Sequence, residues 1–304
     1  MPFTLRLYCR FPVHYAVTYN ADPFLRLPLA SCSGFWSSHG GIRMKRLLVI
    51  TLLLLSNVPA YAEWMPVGGN DQRGMAVAQL SLTQVIDRKP AAVVPVPQTA
   101  SWWATQHEHT LARIRQGDVD LLLIGDSITQ GWAAEGRRIW DAYDGRRRSV
   151  NLGFSGDGTE HVLWRLDHGE IDAIDPKLAV VMIGTNNTGR RHDPPEETAA
   201  GIQAILTTLR TRLPVTKILL LGVFPRSPSA DDPLRRLNAA INDRLRHYAD
   251  DQQVFFLDLS RRFLDDRGRL SPDLMPDYLH PSGRGYQVWA DGMEDMIRTL
   301  MGDK

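Results

Sequence analysis

The chain has 304 residues, 43% of them hydrophobic, with 35 Lys and Arg set against 34 Asp and Glu. A net charge of +1 leaves no electrostatic footprint for nucleic acid or another polyanion. The only two cysteines, Cys9 and Cys32, lie close to the N-terminus, so a disulfide scaffold is excluded for everything downstream.

Residues 1–43 read as irregular and mildly basic. Met44-Lys45-Arg46 then leads into an apolar run from Leu47 to Leu55, followed by Ser56-Asn57-Val58-Pro59-Ala60-Tyr61-Ala62. A basic start, a short apolar centre and an Ala-x-Ala ending predict a signal peptide over 44–62, cleaved before Glu63. The run is short for a transmembrane helix, although an uncleaved anchor is the alternative. A secretory signal belongs at the start of a chain, so translation is expected from Met44, with 1–43 a leader outside the exported protein. Processing at Ala62 would leave 242 residues with 29 basic and 33 acidic side chains, a net charge of −4. No cysteine follows the cleavage point to carry a lipid anchor, so a periplasmic or secreted protein is expected.

Residues 63–100 lack sustained periodicity, and Lys89-Pro90-Ala91-Ala92-Val93-Val94-Pro95-Val96-Pro97 predicts an extended arm or linker. One globular unit is expected over 101–304. Trp103, His107, Leu111 and Ile114 are spaced as one helix face. Five apolar runs then alternate with helical patterns: Asp120 to Ile124, Ser149 to Leu152, Leu178 to Ile183, Lys217 to Leu221 and Val254 to Leu257. Short runs rich in Val, Ile and Leu suit strands buried on both faces. Between them, Ile202, Ile205, Leu206 and Leu209 keep helical spacing, as do Leu234, Leu237, Ile241, Leu245 and Tyr248. Asp193 and Pro194 read as the cap and first-turn proline of the former helix. A last helix is expected from Ser282, burying Tyr286, Trp289, Met293 and Ile297. This alternation predicts an α/β fold, a mostly parallel five-stranded sheet with helices on both sides.

Such sheets carry their reactive groups beyond the carboxyl ends of the strands. Gly125-Asp126-Ser127 follows the first run, Gly153 ends the second and Gly184-Thr185-Asn186-Asn187 follows the third, while Asp277-Tyr278-Leu279-His280 precedes the last helix. A serine hydroxyl needs a base to become a nucleophile, and His280 is the candidate for Ser127. Asp277 can accept the other ring N–H and fix the tautomer. Backbone N–H groups of Ser127 and Gly153 and the side-chain amide of Asn186 can face a developing oxyanion.

These four blocks resemble those of the SGNH, or GDSL-type, hydrolases, whose letters fall here on Ser127, Gly153, Asn186 and His280. Within that family, the stretch from Asn151 to Leu166, with Gly184-Thr185-Asn186-Asn187 and Asp277-Tyr278-Leu279-His280, is similar to the catalytic subunits of intracellular platelet-activating-factor acetylhydrolases. The likeness runs from about Trp103 to the last helix. Asn187 departs from the Asp of many members but agrees with this branch. The resemblance implies a three-layer α/β/α sandwich of flavodoxin-like type and a serine esterase that passes through an acyl-enzyme without a cofactor. It also implies an acyl pocket bordered by Ile128, Thr185 and Leu279, small enough to prefer acetyl or similarly short groups. The resembled subunits pair, so a homodimer is one assembly open to this chain.

Blander readings suit several other residues. Asp126 reads as a loop-shaping group, and Asp157 with Thr159 as the cap of the helix carrying Trp164. His107, His109, His161 and His168 lack a ligand motif, so no metal site is expected. Trp102 and Trp103 read as packing groups, and Ser155, in a glycine-rich turn, is a weak rival to Ser127. Arg146-Arg147-Arg148 reads as a solvated turn. The expectation is an exported esterase acting on a small-molecule, lipid or acetylated-carbohydrate ester. A lysophospholipase or thioesterase with the same centre, and an idle binding module, are the alternatives.

Overall fold

The computed structural model describes residues 89–143 and 147–303 together with three short strands upstream. Those strands, β1 (Thr4–Leu7), β2 (Tyr15–Tyr19) and β3 (Ala30–Ser31), pair antiparallel where the leader reads as irregular. Tyr, Val and Thr in Tyr15–Tyr19 favour extended backbone, which the absence of clear alternation conceals. The strands belong to one unit, Met1–Gly74, and the sheet and helices below to a second, Met75–Lys304. The expected signal segment, 44–62, lies outside the described residues.

In the second unit five parallel strands form a sheet in the order β5-β4-β6-β7-β8. They are β4 (Leu121–Gly125), β5 (Ser149–Gly153), β6 (Leu178–Met182), β7 (Lys217–Leu221) and β8 (Val254–Leu257), each within a residue of its predicted position. Their side chains sort by a period of two onto two cores. Leu122, Ile124, Ala179, Val181, Ile218 and Leu220 enter one core, and Leu121, Leu123, Leu178, Val180, Leu219 and Leu221 the other. Both faces are therefore dry, which explains why β4 and β6 are buried at every position.

Helices α1 (Ser101–Ile114), α4 (Thr159–Arg165), α5 (Pro195–Arg212) and α6 (Pro233–Leu245) cover the first face, and α3 (Arg137–Tyr143) and α7 (Gly283–Met301) the second. Between β4 and α3 lie a short turn of helix, α2 (Ser127–Gln130), and a 3-10 turn over Gly131–Ala133. The result is a three-layer α/β/α sandwich. Among the described residues no helix is long and apolar enough to cross a membrane.

Several local expectations need correction. Pro194 is the N-cap of α5 and Pro195 its first residue, because Asp193 is drawn away to accept hydrogen bonds from Arg191 and Asn187. On α6 the buried stripe is Arg235, Asn238, Ile241, Asn242 and Leu245, with Leu234 and Leu237 only half-buried. The helix is rotated so that Asn242 can bracket the Val223 backbone, accepting from its N–H at 2.7 Å and donating to its carbonyl at 2.9 Å. Arg147 is no solvated turn residue. It pairs with Glu294 at 2.7 Å and Asp303 at 3.0 Å, with 11% of its side chain exposed, and ties the approach to β5 to the end of α7.

The extended segment before α1 is docked. Thr159 Oγ1 donates to the Ala92 carbonyl at 2.7 Å and Val96 N–H to the Glu160 carbonyl at 3.2 Å. Gly201 on α5 makes room, since a Cβ there would stand 2.6 Å from the Ala92 carbonyl oxygen.

Asp157 and Thr159 do not cap α4; Gly158 is its N-cap, and the carboxylate of Asp157 faces inward. It accepts from Arg165 Nε and Trp103 Nε1, both at 2.8 Å, and from Gln98. Arg165 also pairs with Glu170, which meets His107 Nδ1 at 3.1 Å, and the Arg165, Asp157 and Glu170 side chains are all fully buried. Removing one member of a buried ion set strands the others. Arg165→Met should therefore lower the unfolding free energy by about 3–5 kcal/mol, read by urea denaturation. Arg137→Ala, which removes an exposed pair with Asp141, should change it by less than about 1 kcal/mol. Equal effects from the two would refute the assignment.

Candidate active site

Strand β4 has β5 on one side and β6 on the other, so the strand order reverses at it, the place where a parallel sheet leaves a crevice at the carboxyl ends of its strands. Gly125 is level with Gly153 on β5 and Met182 on β6. The chain must turn at once into α2 there, packed directly on the neighbouring strand ends. A Cβ on Gly125 would lie 2.5 Å from the Met182 carbonyl, and one on Gly153 2.5 Å from the Thr129 carbonyl carbon. Only glycine fits either place.

Ser127 opens α2. Its Oγ is 2.9 Å from His280 Nε2, and His280 Nδ1 is 2.6 Å from Asp277 Oδ2. Asp277 Oδ1 accepts the backbone N–H groups of Leu279 at 3.0 Å and His280 at 2.7 Å, so the loop before α7 folds around this one carboxylate. Partial burial raises the Asp277 carboxyl, but the ring N–H of His280 and the two backbone donors outweigh it and hold the group below its ordinary range. With the Nδ1 proton committed to Asp277, Nε2 is left as the acceptor for the Ser127 hydroxyl. Tyr286 on α7 donates to the Ile128 carbonyl at 2.6 Å, which fixes α2 against the helix that follows His280.

Asn186 follows β6 and is half-buried, with its Nδ2 donating to the Asp157 carbonyl at 2.9 Å. That bond orients the amide and leaves its second N–H for another acceptor. The backbone N–H of Ser127 makes no hydrogen bond among the described residues. The Gly153 N–H is differently placed: it donates to Asn151 Oδ1 at 2.8 Å, so this expected oxyanion donor is already engaged. Asn151 Nδ2 donates in turn to the Thr129 carbonyl at 3.0 Å, which makes Asn151 a bracket between β5 and α2.

Of the expected acyl-pocket residues, Ile128 and Thr185 are each 2% exposed and Leu279 is half-buried. Thr185 is held by Arg226, which donates to its carbonyl at 2.9 Å, and by Asn238 Nδ2 on Oγ1 at 3.3 Å. Asn238 also accepts from Thr188 Oγ1 at 2.8 Å. Asn187, adjacent to Asn186, accepts from Thr159 N–H at 3.0 Å and donates to Glu160 and Asp193. Of these three buried amides, Asn187 is already marked in the sequence by its departure from the Asp of many family members, whereas Asn238 and Asn242 carry only the sign of a polar residue on an otherwise apolar helix face. Among the described residues no group of three or more His, Cys, Asp or Glu could hold a metal ion. Ser155 stays in the glycine-rich turn, where its N–H donates to Gln130 Oε1 at 3.0 Å.

Asp126 caps α2 by accepting the Ile128 N–H at 2.9 Å and is 2% exposed. Burial, only partly offset by that bond, pushes its carboxyl up to about 7. A folded-state value above the unfolded one means that the native chain keeps a proton the unfolded chain releases. The stability it contributes is complete below about pH 4 and is lost as the pH rises to 7. Relative to Asp126→Asn, which keeps the acceptor but cannot ionise, the wild type should lose up to about 4 kcal/mol over that range. Urea unfolding at a series of pH values measures it, and parallel curves for the two proteins would refute it.

The GDSL-like Lipase/Acylhydrolase family matches residues 123–288. Platelet-activating factor acetylhydrolase IB subunit alpha2 of Rattus norvegicus is 34% identical over 219 residues, which is 71% of this chain and 93% of that protein. Subunit alpha1 of Homo sapiens is 34% identical over 214 residues, 70% and 90% of the two chains. Among solved structures, an acetylxylan esterase from Geobacillus stearothermophilus shares the fold with a TM-score of 0.50 at 23% identity, over 62% of this chain and 96% of its own. A GDSL-like lipase from Bacteroides thetaiotaomicron does so with a TM-score of 0.51 at 20% identity, over 65% and 96%. With a family match over more than half its length, set on a parallel sheet that turns from Gly125 into Ser127, the chain belongs to the GDSL-like lipase/acylhydrolase family of hydrolases.

Proposed function

We propose that the protein is a serine esterase for short-chain, above all acetyl, carboxylic esters. The observation that carries this reading is the relay from Ser127 Oγ to His280 Nε2 at 2.9 Å and from His280 Nδ1 to Asp277 at 2.6 Å. Ser127 Oγ attacks the acyl carbon while its proton passes to His280, and Asp277 stabilises the imidazolium. The proton then goes to the leaving alcohol, an acyl-Ser127 ester remains, and water activated by His280 releases the acid. The oxyanion rests on the Ser127 N–H and the Asn186 amide; with its N–H held by Asn151, Gly153 contributes chiefly the space that lets α2 approach.

Tight packing at Ile128 and Thr185 favours a short acyl group, with Leu279 as the surface the acyl chain meets. The relatives named for acetyl-group hydrolysis support the same size. Export after cleavage at Ala62 is part of this proposal, as is pairing of two copies by analogy with the resembled subunits.

Ser127→Ala should abolish ester turnover and covalent labelling by a fluorophosphonate; undiminished labelling would discard the nucleophile. Asn186→Ala should lower kcat by about 100- to 1,000-fold while labelling of Ser127 persists, and a change confined to KM would remove its oxyanion role. Across acetate, butyrate and octanoate esters of one alcohol, kcat/KM should fall with acyl length, and Leu279→Ala should flatten the series. Equal turnover of acetate and octanoate by the wild type would refute the short-acyl preference.

A further inference from the structure

A cleft of about 370 Å³ opens beside Asn186, lined by Val94 and Val96 of the docked arm together with His161 and Arg190. Its apolar wall is unusual for an open surface. Val94 and Val96, at 39% and 40%, are among the most exposed large hydrophobic residues described. The arm is held in place by hydrogen bonds to α4, so these side chains are presented to the cleft on a fixed backbone.

Among the ionisable side chains of the lining, donors are available and the acidic acceptor is not. Glu160 lines the cleft, but its carboxylate is 3% exposed and taken by Arg191 and Asn187. Arg191 is itself shared with Asp193 at 2.6 Å. Arg190 makes no ion pair among the described residues. Its guanidinium lies against the backbone of Gly156, where a Cβ would collide with Nη2, and the positive φ of +77° there also calls for glycine. His161 Nδ1 accepts the Gly158 N–H at 2.8 Å, which places the ring proton on Nε2, free to donate. Burial moves this imidazole below its ordinary pKa, so it donates as a neutral ring.

We propose that this cleft binds the alcohol half of the ester, and that Arg190 and His161 receive an anionic group, a phosphate or a carboxylate, carried by that alcohol. This rests on the esterase reading above, because it is Asn186 that connects the cleft to the reacting carbonyl. An alcohol with an apolar stem lies along Val94 and Val96 and sets its charge on Arg190, the geometry a guanidinium fork favours for both anions.

Three acetyl esters of similar primary alcohols test this: 3-acetoxypropyl phosphate, 4-acetoxybutanoate and butyl acetate. Arg190→Gln should lower the ratio of kcat/KM for an anionic ester to that for butyl acetate by about tenfold, and Arg190→Lys should retain most of it. Val96→Asp, which sets a like charge across the cleft, should lower the ratio in the same direction. A loss with phosphate alone or with carboxylate alone supports the proposal and identifies the anion; a ratio within twofold of the wild type for both, in Arg190→Gln, overturns it. Calorimetric binding of 3-hydroxypropyl phosphate and 4-hydroxybutanoate to Ser127→Ala, with and without Arg190→Gln, decides the cleft independently of turnover. If the wild type hydrolyses none of the three esters, the esterase reading fails while this binding result continues to judge Arg190.

Discussion

Backbone has to touch backbone at the carboxyl end of β4. The chain leaves a fully buried strand, turns within two residues and starts α2 on top of β5, where the Gly153 position lies against the Thr129 and Gln130 backbone. Gly125 and Gly153 permit that contact, the Asp126 carboxyl accepts the Ile128 N–H in the buried first turn, and Asn151 clamps the two layers from the β5 side. Everything else at the rim is placed relative to it. Tyr286 reaches α2 from α7, and the same helix delivers the loop that carries Asp277 and His280.

A second layer of order comes from charge held away from water. Asp157 is the junction: its carboxylate faces Arg165, Trp103 and Gln98, while its carbonyl orients Asn186. Buried ion sets are not cheap sources of stability, because desolvation offsets most of their attraction. Their value here is positional. The same residue that anchors α4 and the arm to the core sets the direction of an amide at the rim of the candidate site, so the rim inherits the rigidity of the interior.

How much of this could be read from the chain follows from the range of each interaction. The sheet was legible because a strand buried on both faces is a continuous apolar run, as in Leu121–Gly125 and Leu178–Met182. Ser127, Asp277 and His280 were legible as candidates because four blocks at strand and helix ends together supply a nucleophile, a base and an acid, whereas Gly-Asp-Ser alone is ordinary turn and cap chemistry. The bonds of Asp157 to Trp103, 54 residues away, and to Gln98, 59 residues away, were not, and a cap was the local reading that remained. Asn238 and Asn242 escaped for the same reason: on a helix, Leu234 and Leu237 announce a core face, whereas an amide announces nothing until its partners on the next strand are known. Nor does any pattern reveal that Asn151, two residues upstream, occupies the Gly153 N–H.

The docked arm also orders events in time. During synthesis Ala92, Val96 and Gln98 leave the ribosome well before Thr159, Glu160 and Gly201, the groups that receive them or make room for them. Residues 92–98 can therefore settle only once α4 and the first part of α5 have been made, when β4, β5 and β6 exist but β7 and β8 do not. The cleft between the arm and Asn186 thus joins groups made far apart in time, and it cannot exist until both have been synthesised.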